Sequence, residues 1–82
     1  MFVNVVVRIL GLNKDFNISI PKGMILRDAY DLISKILADE TYGELKIDNN
    51  YKLVKISDGK VLNSTKTLND QMIYNGETLL LV

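Results

Sequence analysis

Two alternating runs open the chain, and a single later segment has the pattern needed to cover them. FVNVVVRIL (Phe2–Leu10) puts Val3, Val5, Val7 and Ile9 on one face, with Asn4 and Arg8 on the other. FNISI (Phe16–Ile20) repeats the arrangement, with Phe16, Ile18 and Ile20 against Asn17 and Ser19. A period of two marks a strand with one face buried. GLNKD (Gly11–Asp15) joins the runs and has turn chemistry, so the pair reads as a β-hairpin. A lone hairpin is marginal in water, so its apolar face must find a lid elsewhere in the chain.

MILRDAYDLISKILADE (Met24–Glu40) supplies that lid. At 100° per residue, Ile25, Leu26, Ala29, Tyr30, Leu32, Ile33, Ile36 and Leu37 fall within an arc of about 160°. Arg27, Asp28, Asp31, Ser34 and Lys35 fill the rest of the wheel. This predicts an amphipathic helix of about fifteen residues, with a stripe wide enough to lie across a sheet. Pro21 ends the strand before it, because proline cannot continue the hydrogen-bond ladder. The helix start lacks a Ser, Thr or Asp cap, although Asp28 and Asp31 suit the positive end of its dipole.

The second half is less regular. In TYGELKIDNN (Thr41–Asn50), Gly43 and the Asp-Asn-Asn cluster predict a loop, and Leu45 and Ile47 suit a short strand or one helical turn. YKLVKI (Tyr51–Ile56) is a strand by propensity. Its phase is open, since Leu53, Val54 and Ile56 share a face only if a bulge intervenes. SDGK (Ser57–Lys60) is a turn, Val61-Leu62 a short strand at most, and LNDQMI (Leu68–Ile73) one helical turn or 3₁₀ segment. NGET (Asn75–Thr78) is a turn with Gly76 expected at positive φ, and LLLV closes as a strand.

The order of elements predicts an α+β fold in one domain, residues 1–82: a mixed four- to five-stranded sheet with one helix packed on one face. The first and last strands are both strongly apolar, which makes them central, parallel neighbours. The helix should cover the face carrying Val5, Val7, Ile18 and Leu79. A chain of 82 residues buries roughly 60–65% of its unfolded surface, so there is one small core.

Composition excludes several kinds of chemistry. There is no cysteine, hence no disulfide, iron–sulfur cluster, thiolate metal site or thiol nucleophile. There is no histidine, so the commonest general base and neutral metal ligand are both missing. Ser19, Ser34, Ser57 and Ser64 therefore lack a histidine to activate them. The carboxylate pair Asp28/Asp31 lies on the exposed helix face and lacks the burial that tunes a catalytic acid, and a second pair, Asp39/Glu40, ends the same helical segment. Asp48-Asn49-Asn50 lacks the glycine and distal glutamate of a calcium loop. The glycines are isolated, so no loop cradles a phosphate. No catalytic residue, cofactor or metal is expected.

Charge is balanced, ten basic against ten acidic residues, which predicts no nucleic-acid partner. It is uneven along the chain. Residues 28–48 hold six acids against Lys35 and Lys46, and residues 52–66 hold Lys52, Lys55, Lys60 and Lys66 against Asp58. Such a division is either ordinary solvated surface or a polarised face that orients a partner. No run approaches eighteen apolar residues, and the first residues lack a secretion signal, so no membrane insertion and a cytoplasmic location are expected.

The last third carries a resemblance. DGKVLNSTKTLNDQMIYNGETLLLV resembles ubiquitin-like proteins of the β-grasp fold: Gly-Lys in a turn, a short strand, Thr-Leu-x-Asp, an Ile three residues on, then alternating Leu. On that match Gly59, Leu62, Leu68, Asp70, Ile73, Leu79 and Leu81 take structural positions, and Leu26, Ala29, Ile33 and Ile36 match the helix loosely. Within the superfamily the chain looks like the small bacterial YukD/EsaB group, associated with type VII (ESX-like) secretion. Asn75-Gly76-Glu77 fits that group's ending, and the longer stretch Ala38–Asn50 departs from it. Related sulfur carriers and conjugated modifiers need a C-terminal Gly-Gly. Here the sequence reads Leu81-Val82, so the resemblance implies neither conjugation nor sulfur transfer.

The expected role is protein binding, with secretion machinery among the candidate partners and a monomer or weak homodimer as the assembly. TLLLV turns Leu79 and Leu81 inward and Leu80 and Val82 outward. If the third strand keeps the family phase, Val54 and Ile56 join Leu80 and Val82 in an apolar patch on the sheet face away from the helix. Lys52, Lys55 and Lys60 would ring it, and Tyr51 and Tyr74 would flank it as aromatic anchors. The resemblance implies the same region, which ubiquitin-like domains use for recognition. A homo-oligomer burying this patch against itself is the alternative.

Overall fold

A computed structural model describes residues 1–12, 14–44 and 51–82. Leu45 and Ile47 lie outside the described residues. Five strands and one helix follow each other as β1 (Phe2–Ile9), β2 (Asp15–Pro21), α1 (Leu26–Glu40), β3 (Leu53–Lys55), β4 (Lys60–Val61) and β5 (Thr78–Leu81). The sheet order is β2-β1-β5-β3-β4, with β1 parallel to β5 and the other neighbours antiparallel. The most apolar strands thus lie in the interior of the sheet, as their sequences require.

The alternation in β1 and β2 is realised residue by residue. Val3, Val5, Val7, Ile9, Phe16, Ile18 and Ile20 are buried, and pairs such as Val5↔Ile18 and Val7↔Phe16 sit directly opposite each other. From α1, Leu26, Ala29, Ile33 and Leu37 enter the same core, and Tyr30 and Ile36 pack against it. Leu53, Leu62, Leu68, Ile73, Leu79 and Leu81 complete it, and no charged or polar residue is buried among the described residues.

Nothing at the start of α1 caps it with a side chain. The orphan amides go elsewhere: Leu26 N–H donates to the Lys66 carbonyl and Arg27 N–H to the Ser64 carbonyl, both at 2.9 Å. The loop before β5 therefore performs the capping that the sequence before the helix lacks.

Two elements differ from the sequence expectation. The strand expected over Tyr51–Ile56 is three residues long, although Lys52 and Val82 still exchange two backbone hydrogen bonds, 2.8 and 2.9 Å. Leu68–Ile73 forms linked turns. Met72 N–H reaches the Asn69 carbonyl and Ile73 N–H the Leu68 carbonyl, with Met72 left-handed at φ 57°. This is the closing motif of a helix end, and it brings Leu68 and Ile73 together as plugs for the core.

Candidate protein-binding face

Among the described residues, the helix covers one side of the sheet and the other is left open. Side chains out of phase with the core line that open side. Strand register aligns Asp15, Arg8, Leu80, Val54 and Val61 in one row across all five strands. In a second row Val6 lies between Asn17 and Thr78, and Ile56 N–H donates to the Thr78 carbonyl at 3.2 Å. On the other flank Val82 pairs with Lys52, and Leu10 N–H donates to the Leu81 carbonyl at 3.1 Å.

These rows decide where the sequence-predicted residues stand. Val54 and Leu80 are directly opposite, both half-buried. Ile56 is 43% exposed and Val82 39% exposed. The pairing from Leu53↔Leu81 through Lys55↔Leu79 is unbroken, so no bulge turns Ile56 inward. The structure brings Val54, Ile56, Leu80 and Val82 to the same face.

Three residues expected there, Lys55, Tyr51 and Tyr74, are elsewhere. Lys55 is opposite Leu79, a core residue, so its side chain leaves on the helix side. Its Nζ donates to the Met72 carbonyl at 2.9 Å and lies 3.9 Å from Glu77 Oε1, and the side chain is only 12% exposed. Lys55 therefore supports the turn at Met72 and does not ring the open face. Tyr51 shares the parity of Leu53 and packs against the core. Tyr74 is exposed in the turn before β5, where its carbonyl accepts Glu77 N–H; no register places it in the apolar rows.

Besides exposed Phe2 at the start of β1, three further apolar residues belong to this side. Val61 is exposed opposite Val54, Val6 is half-buried beside Thr78, and exposed Leu10 follows buried Ile9. A two-residue strand has no readable periodicity, so nothing in the sequence showed the facing of Val61. Leu10 lay at the end of an alternating run, and carrying the alternation one residue on would have found it.

The face is electrically divided. At one end Arg8 Nε and Nη2 donate to Asp15 Oδ1 and Oδ2 at 2.9 and 3.2 Å. The hydrogen bond from Arg8 is the main reason that the Asp15 carboxyl is held below its ordinary acidity range, and Asp15 raises Arg8 in return. That pair is mutually neutralised. At the other end the exposed Lys52 borders Val82. A shallow depression of about 350 Å³ lies beside Ile56, lined by Ser57, Asn75, Gly76, Glu77 and Thr78. In it Ser57 Oγ donates to Glu77 Oε2 at 3.4 Å, and the described residues contain no group of three or more His, Cys, Asp or Glu placed to hold a metal ion. No helix of the described residues is long and apolar enough to cross a membrane.

Solved structures with the same architecture are numerous. The EccD5 ubiquitin-like domain from Mycobacterium xenopi aligns over 100% of this chain and 93% of its own, with a TM-score of 0.77 and 16% identity. The chain has the ubiquitin-like β-grasp fold. A chain of the MycP5-free ESX-5 inner membrane complex aligns over 99% of this one but 20% of its own length, with a TM-score of 0.77 and 21% identity. Caldiarchaeum subterraneum ubiquitin aligns over 99% and 91%, with a TM-score of 0.70 and 11% identity. At such identities the likeness is one of fold. No protein-family model and no curated protein matches the chain.

Proposed function

We propose that this chain is a noncatalytic protein-interaction module that docks through the open face of its sheet, and that it serves in the cytoplasm as an accessory component of a bacterial type VII (ESX-like) secretion system. The observation that carries the binding role is the row Leu80–Val54–Val61, flanked by Val82 and Ile56 on the side opposite the helix. Apolar side chains gathered on an uncovered sheet face, bordered by charge, suit the centre and rim of a protein interface. The secretion assignment draws on the resemblance of the last third to the YukD/EsaB group, and on the likeness of fold to a domain named for EccD5 and to a chain of an ESX-5 complex.

The test is co-purification with the membrane complex of the host's type VII system, comparing the wild type with an Ile56→Glu/Leu80→Glu double variant. Both substitutions fall on the open face, so circular dichroism should report a folded variant. The complex should be retained by the wild type and lost by the variant; a folded variant that still retains it removes the face from the reading. Light scattering over a concentration series separates partner docking from self-association through the same residues.

A further inference from the structure

The turn before β5 contains the chain's single Asn-Gly pair, Asn75-Gly76. Both halves of this pair are held by one residue of β1. Asn4 N–H donates to Asn75 Oδ1 at 2.9 Å, and Gly76 N–H donates to the Asn4 carbonyl at 2.9 Å. Tyr74 and Glu77 close the turn around them through Glu77 N–H to the Tyr74 carbonyl, 3.1 Å.

We infer that Asn75 is a conditional deamidation site, reactive in the opened chain and held inactive by Asn4 in the folded one. Gly76 has no side chain to hinder approach to its amide nitrogen. In the reaction that nitrogen gives up its proton to water and attacks Asn75 Cγ. The N–Cγ bond forms, the Cγ–Nδ2 bond breaks, and Nδ2 leaves as ammonia with a proton from water. One further water then opens the succinimide at either carbonyl, giving aspartate or its β-linked isomer.

The fold opposes two requirements of the attack. The Gly76 proton is engaged by the Asn4 carbonyl, which hinders its removal. The Asn75 carboxamide is held toward Asn4 N–H and is not free to turn onto the nitrogen behind it. Reaction therefore waits for the β1–β5 junction to open, a local event with its own free energy. The products differ in consequence. Aspartate keeps an acceptor for Asn4 N–H. The β-linked form adds a methylene to the main chain, just where Gly76 N–H must meet the Asn4 carbonyl and Val6 N–H the Glu77 carbonyl.

The test incubates the full chain at mildly alkaline pH, in buffer and in unfolding urea, and follows the amide-to-acid mass change with peptide mapping at residue 75. Deamidation at Asn75 should be more than ~10-fold slower in buffer, in line with protection by a local opening equilibrium. The suppression should equal the hydrogen-exchange protection of the Gly76 amide measured on the same sample. Leu79→Ala, which weakens β5, should raise both opening and deamidation by the same factor. Equal rates in buffer and urea, absence of reaction at Asn75 in urea, or suppression unrelated to Gly76 protection would each overturn the inference.

Discussion

The Tyr30 hydroxyl accepts the Leu53 backbone N–H at 2.7 Å, tying α1 to β3 at a point where β3 has passed the end of β4 on that side. Register puts Leu53 against Leu62, one residue past the end of β4. Leu62 N–H donates to the Leu53 carbonyl at 2.9 Å, and the Leu53 amide turns to Tyr30. Tyr30→Phe keeps the ring and orphans this amide, so denaturant unfolding should show a loss of about 1 to 3 kcal/mol. An unchanged midpoint and slope would show that solvent serves the amide equally well. Burial raises the Tyr30 phenol above its ordinary value, and the Leu53 hydrogen bond opposes this. The neutral phenol is thus favoured by folding: its contribution is complete below the ordinary tyrosine value and is lost as pH rises through the raised one. The alkaline fall in stability should be shallower in Tyr30→Phe.

A second titration concerns the far end of the open face. Asp15 is held low mainly by its hydrogen bond with Arg8, so its folded value is depressed relative to the unfolded chain. Its contribution is therefore present above the ordinary aspartate value and lost as pH falls through the depressed one. Carboxyl-detected NMR should give Asp15 a midpoint below that of an ordinary aspartate, and Arg8→Ala should restore it. Salt should narrow the difference, since both groups are solvent-exposed. An Asp15 midpoint indifferent to Arg8→Ala would contradict the ion pair.

The parts of the fold that were legible in sequence are those whose periodicity runs uninterrupted. Val3 to Ile9, Phe16 to Ile20 and Leu26 to Leu37 each repeat their pattern long enough to fix both element and facing. Lys55 was not legible, because its facing depends on β5: opposite Leu79 it must leave on the helix side, and that position suits a lysine because the Met72 carbonyl and the Glu77 carboxylate are within reach. The capping of Leu26 and Arg27 by Lys66 and Ser64 is likewise nonlocal, and no residue before the helix hints at it. Of the open face, Leu80 and Val82 followed from alternation, Val54 and Ile56 from the phase that the resemblance implied, and Val61 from neither.

Two turns keep bulky residues where glycine would fit better. Tyr42, just past the end of α1, has φ 53° and is 96% exposed; Met72 has φ 57° and is 62% exposed. Each closes its turn with the same pair of bonds, Gly43 N–H to the Ala38 carbonyl in one and Ile73 N–H to the Leu68 carbonyl in the other. The left-handed region is costly for a residue with a Cβ, and exposed side chains contribute little burial to offset it. Replacing either residue with glycine should raise stability by about 0.5–1 kcal/mol, less the extra entropy glycine gives the unfolded chain. Thermal or urea unfolding of Tyr42→Gly and Met72→Gly checks this, and a clear loss in either would show that its side chain has a packing role.

Leu79 and Leu80 are neighbours in one strand with opposite duties, and together they test the phase on which the binding face depends. Leu79 is fully buried and pairs with Val7 in the core, whereas Leu80 is half-exposed between Arg8 and Val54 on the open side. Leu79→Ala opens a cavity beneath the helix and should cost about 2–5 kcal/mol. Leu80→Ala removes surface that water already reaches and leaves no enclosed void. Its cost should stay below about 1.5 kcal/mol, set by the part of one leucine that the fold covers. Partner retention should invert the order: Leu80→Ala weakens docking in a stable protein, and Leu79→Ala leaves docking intact at temperatures where it remains folded. Equal losses of stability at the two positions would mean that β5 does not present alternate faces, and the open-face site would fall with it.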